Sequence, residues 1–203
     1  MYNYKIKFGL DINMNELKGE NINIADTIVE SNSDSILEKC AHSIENQYDD
    51  YNIYTTAVDN LYDNADDVLT DIKDEIVLIL NDYILPEFIE KVNNIIYGDT
   101  IIEFMEEQFE NNIGAKVTIR RCDDITYEIT SYENISDKLD PIMLEDTLAY
   151  EITSSIMDKL YYENKELELD IDSYNITINE DYGWRIVEQY QDLIDGTMEL
   201  IEE

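Results

Sequence analysis

The stretch "KVTIRRCDDITYEITSY" (residues 116–132) sets two runs rich in β-branched and aromatic residues on either side of Cys122, Asp123 and Asp124. That pattern predicts a β-hairpin turning at those three residues. Upstream, Gly114 closes a helical half of the chain. Downstream, "ELELDIDSYNITI" (166–178) predicts a second hairpin, because its alternation changes phase near Ser173. At the N-terminus Tyr4, Ile6, Phe8, Leu10 and Ile12 alternate with Asn3, Lys5, Lys7, Gly9 and Asp11, the period of a half-buried strand. Asp140 and Pro141 start a helix to about Tyr162, with Leu148, Ile152, Ile156 and Leu160 at four-residue spacing. A last helix is expected from about Gly183, turning Trp184, Val187, Tyr190, Ile194, Met198 and Ile201 inward.

The first half is expected to be mostly helical. "SILEKCAHSIENQY" (35–48) opens with Ser35 and Glu38 at capping-box spacing and carries Ile36, Leu37, Cys40, Ala41 and Ile44 on one face. At 100° per residue, the acids of 59–75 and Val58, Leu61, Tyr62, Ala65, Val68, Leu69, Ile72, Ile76, Ile79, Leu80 and Tyr83 occupy opposite sides of a single helix over about 57–84, with Val77 breaking the division. Pro86 predicts a stop or kink soon after. Residues 86–98 and 99–112 each read as a further helix. The fold class is therefore α+β: an antiparallel sheet of the N-terminal strand plus two hairpins, packed by helices, with a helical segment in the N-terminal half. The chain reads as one domain over 1–203. A candidate boundary near 113–115 separates mostly helical 1–113 from two strand–strand–helix units in 115–203.

The composition is unusual in one respect. The 203 residues include 48 acids and 13 Lys or Arg, for a net charge of −35, whereas a small domain stays dispersed with about 2 to 8. The abundant isoleucine and the periodic apolar positions argue against disorder. Two cysteines, Cys40 and Cys122, fit a reducing compartment better than a disulfide framework. The N-terminus alternates and lacks a signal-peptide apolar block, and the longest strongly apolar run, "IVLIL" (76–80), is too short for a membrane span. The expected location is the cytoplasm.

Tests for chemistry return little. His42 is the only histidine, and its spacing from Cys40 points the two side chains to different faces. There is no phosphate-binding glycine loop and no nucleophile elbow. Asp170 and Asp172 do not continue as a calcium loop, since Tyr174 and Asn175 stand where a ligand and a glycine are needed. No catalytic residue, metal or cofactor is implied, and the chain is not expected to be an enzyme. With so few bases, direct binding of nucleic acid is also disfavoured. Arg120 and Arg121, the one basic spot, are expected to pair with Asp123 and Asp124.

What remains is rows of acids. "DNLYDNADDVLTDIKDE" (59–75) holds Asp59, Asp63, Asp66, Asp67, Asp71, Asp74 and Glu75 against one lysine. Its four-residue steps would set carboxylates about 6 Å apart along a helix axis. In "ELELDID", Glu166, Glu168, Asp170 and Asp172 share one strand face at about 6.6 Å intervals. Phosphates along one strand of a duplex lie roughly 7 Å apart through space, so either row imitates a phosphate row. A solvated face is the plain alternative for each row. Sixteen tyrosines, several beside the acids, supply either contact area of the kind enriched in interfaces or the ordinary aromatic residues of a core. From Ala41 to Asp71 there is no lysine or arginine against eight acids, a field that would steer a basic partner in.

In charge, size and acid rows the chain resembles the small acidic inhibitors carried by phages and mobile elements, the anti-CRISPR and anti-restriction DNA mimics. That resemblance implies an inhibitor that occludes the DNA or RNA site of a bacterial defence nuclease or CRISPR effector, with no membrane partner. An immunity protein or antitoxin against a basic toxin, an acidic assembly protein, and a metal-dependent carboxylate enzyme are the other classes considered.

Overall fold

The computed structural model describes residues 4–98, 100–133, 141–163, 167–171, 176–180 and 182–202. The fold is α+β with an antiparallel four-stranded sheet. The chain forms two compact units, each drawn from separate segments: 1–13, 88–163 and 190–203 in one, 14–87 and 164–189 in the other. Among the described residues, no helix is long and apolar enough to cross a membrane.

In chain order the elements are β1 (Tyr4–Ile12), α1 (Met14–Gln47), α2 (Tyr51–Asp63), α3 (Ala65–Ile79), a π-helical turn (Leu80–Ile84), α4 (Leu85–Tyr97) and α5 (Thr100–Ile113). There follow β2 (Lys116–Arg121), β3 (Thr126–Glu133), α6 (Pro141–Glu163), β4 (Leu167–Ile171), β5 (Ile176–Glu180), α7 (Tyr182–Gln191) and β6 (Ile194–Glu202). Asp140, Glu166, Asp172 and Ser173, all used in the sequence reading, lie outside the described residues.

The sheet unit has strand order β2-β3-β1-β6. The alternation of β1 works as expected, with Ile6 and Phe8 buried while Lys7 and Asp11 are exposed. The hairpin of β2 and β3 turns where the sequence places it. The Asp123 carboxylate accepts the N–H groups of Ile125 (3.2 Å) and Thr126 (2.8 Å). Asp123 thus shapes the turn, and the expected pairing of the arginines with Asp123 and Asp124 gives way to other partners. Arg120 pairs with Glu128, directly opposite it on β3. Arg121 turns to the end of α4. Gly114, at φ +68°, ends α5 in the left-handed region that glycine enters without strain. Helices α5 and α6 cover the sheet with Ile101, Met105 and Phe109 and with Leu148, Ile152, Ile156 and Leu160. Phe88 of α4 meets Tyr190 edge to face, ring centres 5.0 Å apart.

Two expectations fail at the C-terminus. The second hairpin, β4 with β5, is a separate two-stranded sheet. The last helix ends at Gln191, and the chain returns as strand β6 beside β1. Ile194 and Met198 are buried as expected, but a spacing of four is a multiple of the strand period as well as close to one helical turn. Ile201, three beyond Met198, falls on the opposite strand face and is exposed; so is Trp184 on α7.

The helical unit is built on α1, which runs 34 residues and not the 14 expected. Leu17, Ile24, Ala25, Ile28 and Val29 extend the stripe of Ile36, Leu37 and Cys40 toward the N-terminus. Asn21 interrupts that stripe. It is fully buried, and its amide donates to the Asn81 side chain at 2.9 Å, which removes most of the penalty for burying it. Helices α2 and α3 pack on α1 through Leu61, Ile72 and Ile76.

The single helix expected over 57–84 is broken at Asn64, whose φ of −118° and ψ of 30° are not helical. Pro86 neither stops nor ends the helical path. The chain widens into the π-turn just before it, with the Leu85 N–H bonded to the Leu80 carbonyl five residues back. Ile72, Ile76 and Leu80 step by four, then Leu85 follows after five, and both leucines are fully buried. In a regular α-helix a step of five turns a side chain about 140° away; the wider turn keeps Leu85 inward.

Candidate partner-binding surface

The acids of 59–75 lie on two helices joined by one residue. Asp59 and Asp63 belong to α2; Asp66, Asp67, Asp71, Asp74 and Glu75 belong to α3. Asp50 sets the start of α2 by accepting the N–H groups of Asn52 (2.9 Å) and Ile53 (3.4 Å), a side-chain N-cap. Asn64 ends α2 with its backbone N–H on the Asn60 carbonyl, reinforced by its side-chain amide at 2.8 Å. Its own carbonyl accepts Val68 N–H and opens α3. The row of four-residue steps is therefore cut between Asp63 and Asp67, and the unbroken helical row the sequence suggests does not form.

The solvent-facing character of the row survives the cut. Asp59, Asp63, Asp66, Asp67, Asp71 and Asp74 are exposed, and Glu75 is half-buried. Lys73, the one base in the stretch, sits 2.6 Å from Asp26 of α1. Its hydrogen bond to Asp26, with the charges of Asp26, Asp74 and Glu30, holds its pKa above the usual lysine value. Among the described residues, no ion pair engages Asp59, Asp63, Asp66, Asp67 or Asp71.

The helix termini sharpen the field. Asp63 is the last residue of α2, where the backbone dipole is already negative, and no basic residue lies in that turn. Asp66 and Asp67 occupy the first turn of α3, whose positive end they partly neutralise. The α2 end, with Asp63 in its last turn and Asp59 one turn before, thus adds carboxylate charge to the negative pole of a helix dipole. Exposed aromatic area lies on the same helix: Tyr51 is 68% and Tyr62 50% accessible, and Tyr51 packs edge-on against Tyr54. The single-helix reading put Tyr62 and Tyr83 inward; the break and the π-turn leave both exposed.

The second row is only partly placed. Glu168 and Asp170 fall on β4, in register with Asn179 and Thr177 of β5, while Glu166 and Asp172 are not among the described residues.

His42 is exposed on α1, 3.5 Å from Glu45. Cys40 is buried, which raises its thiol pKa, and Cys122 is exposed; both are free. Among the described residues, no three His, Cys, Asp or Glu side chains gather as an ion site would require. No protein-family model matches the chain, and no curated protein or solved structure matches it either.

Proposed function

We propose that this protein is an acidic nucleic-acid mimic that binds a basic nucleic-acid-binding protein and occludes its DNA or RNA site. The target class is a bacterial defence nuclease of the restriction or CRISPR type. The observation that carries this reading is the set of exposed carboxylates on α2 and α3, five of which have no ion pair among the described residues. Outside the first turn of α3 such charges repel one another without a compensating contact in the fold, so a partner's lysines and arginines are their natural complement. In the complex the carboxylates replace phosphates, and Tyr51 and Tyr62 supply contact area. Phosphates along a nucleic-acid strand wind about its axis, so a row split between two helices is compatible with mimicry. The protein performs no reaction and needs no cofactor for this role.

The test is inhibition of substrate cleavage by purified restriction and CRISPR nucleases. The protein is expected to inhibit at least one of them, with excess duplex relieving the inhibition. The folded Asp63→Lys, Asp67→Lys, Asp71→Lys variant should lose the effect. Full inhibition by that variant, its helicity intact by circular dichroism, contradicts the assignment of this surface.

A further inference from the structure

Among the described residues, both edges of the four-stranded sheet carry unpaired backbone, and each has one N–H taken by a glutamate from a covering helix. At the β2 edge, Glu106 of α5 accepts Ile119 N–H at 2.7 Å. At the β6 edge, Glu145 of α6 accepts Leu200 N–H at 2.9 Å. Among the described residues, the protection on β6 stops there. Phe8 N–H points toward Ile125, on the β3 side of β1, so Lys7, Gly9 and Asp11 turn their backbone groups to β6. Their register partners Glu199, Thr197 and Asp195 therefore face β1. The intervening Ile194, Gly196 and Met198 present N–H and C=O outward, as Leu200 does. Among the described residues these outward groups of Gly196 and Met198 have no hydrogen-bond partner.

Those groups border open space. A groove of about 570 Å³ runs along β6, walled on its other side by α6 through Asp146, Tyr150 and Thr153. Gly196 lets the two walls approach, since a Cβ there would overlap the Thr153 hydroxyl and press on the Phe8 ring at 3.1 Å. From Ile194 to Met198 the open edge is about 13 Å long at the rise of a strand, enough for four or five residues of an added one.

The charge around the groove selects the occupant. Asp146, Asp192 and Asp195 line it, are exposed, and have no ion pair among the described residues. Asp195 also stands directly opposite Asp11 in the β1–β6 register, and both are exposed on one face. Like charges in that relation destabilise a sheet. A cation arriving beside Asp195 on a new strand would relieve the pair. A second copy of this chain would instead bring Asp195 against another acidic edge.

We propose that the outer edge of β6 and its groove take an extended, lysine- or arginine-bearing segment of a partner protein as an added fifth strand. Backbone hydrogen bonds to Gly196 and Met198 hold it, and a basic side chain sits beside Asp195. This surface belongs to the sheet unit and does not depend on the α2–α3 acids, so the two assignments stand or fall separately.

The probe is a blocked seven-residue peptide with valine at odd and lysine at even positions, titrated into the 203-residue chain by amide NMR. The expected result is saturable shifts centred on Gly196 and Met198. Binding should weaken at least tenfold when the peptide amides facing β6 are N-methylated, and likewise in Asp195→Lys. That variant should melt higher than the parent, because its lysine pairs with Asp11, so lost binding would not reflect lost folding. Equal binding of the methylated peptide or of a glutamate counterpart overturns the proposal. So does an absence of shifts on β6, or concentration-dependent self-association that protects those same amides.

Discussion

Arg121 draws the end of α4 onto the sheet. Its guanidinium donates to the carbonyls of Ile96 (3.2 Å), Tyr97 and Gly98 (2.9 Å) and lies 5.5 Å from the centre of the Tyr127 ring. Tyr127, buried and held above the usual phenol pKa mainly by desolvation, donates to the Ile96 carbonyl as well. A cation at the carbonyl end of a helix meets both the orphan acceptors and the negative pole of the dipole. Arg121→Met is expected to lower stability by about 2 kcal/mol, and Arg121→Lys by roughly half as much, because an ammonium cannot span three carbonyls as a planar fork does. Urea denaturation of the two variants checks the order. The sequence made Arg120 and Arg121 look alike beside Asp123 and Asp124. Neighbours on a strand point to opposite faces, so the two meet different surroundings, and nothing local to residues 120–124 announces the end of a helix some 23 residues earlier.

At the scale of elements, the acids of α3 should differ in sign. Asp66 lies in the first turn, where a carboxylate favours the helix. Asp71 lies further in, with Asp67 and Glu75 four residues away on either side and Asp74 three away. Asp71→Asn is therefore expected to stabilise by about 0.5–1 kcal/mol in low salt, and Asp66→Asn to destabilise by about 0.3–1 kcal/mol. Thermal melts at two salt concentrations should show both effects shrinking as salt rises.

Elements were legible where one period ruled. Strand β1, the first hairpin and the inward face of α6 follow directly from alternation or four-residue spacing. They failed where two periods coincide or where tertiary contact decides. Ile194 and Met198 satisfy both helix and strand. Residues 14–34 look polar because Asn21 sits in their apolar stripe, and Asn81, sixty residues on, helps make that asparagine acceptable inside. The π-turn is written as the five-residue step from Leu80 to Leu85, a signal that the nearby proline obscured. The free edge of β6 has no signature in a segment whose apolar spacing also fits a helix.

For the whole molecule, a charge of −35 on 203 residues sets the background for every local effect. Self-repulsion opposes the folded state and is screened within about 10 Å at 0.1 M salt. The melting temperature should rise as sodium chloride increases from 10 mM to 0.5 M, while association with a basic partner weakens over the same range. These opposite salt responses separate charge that burdens the fold from charge that recruits a partner. A melting point indifferent to salt would mean that the acids are already compensated within the fold.

The most direct test of the proposed role is capture from a bacterial lysate rich in defence nucleases, run in parallel on the native protein and on the Asp63→Lys, Asp67→Lys, Asp71→Lys variant. Bound proteins are eluted first with excess duplex DNA, then with salt, and identified by mass. The account predicts a basic nucleic-acid enzyme that the native protein retains, duplex DNA releases, and the variant fails to hold. Retention by the variant, release by salt but not by DNA, or no retained nucleic-acid enzyme at all would contradict it.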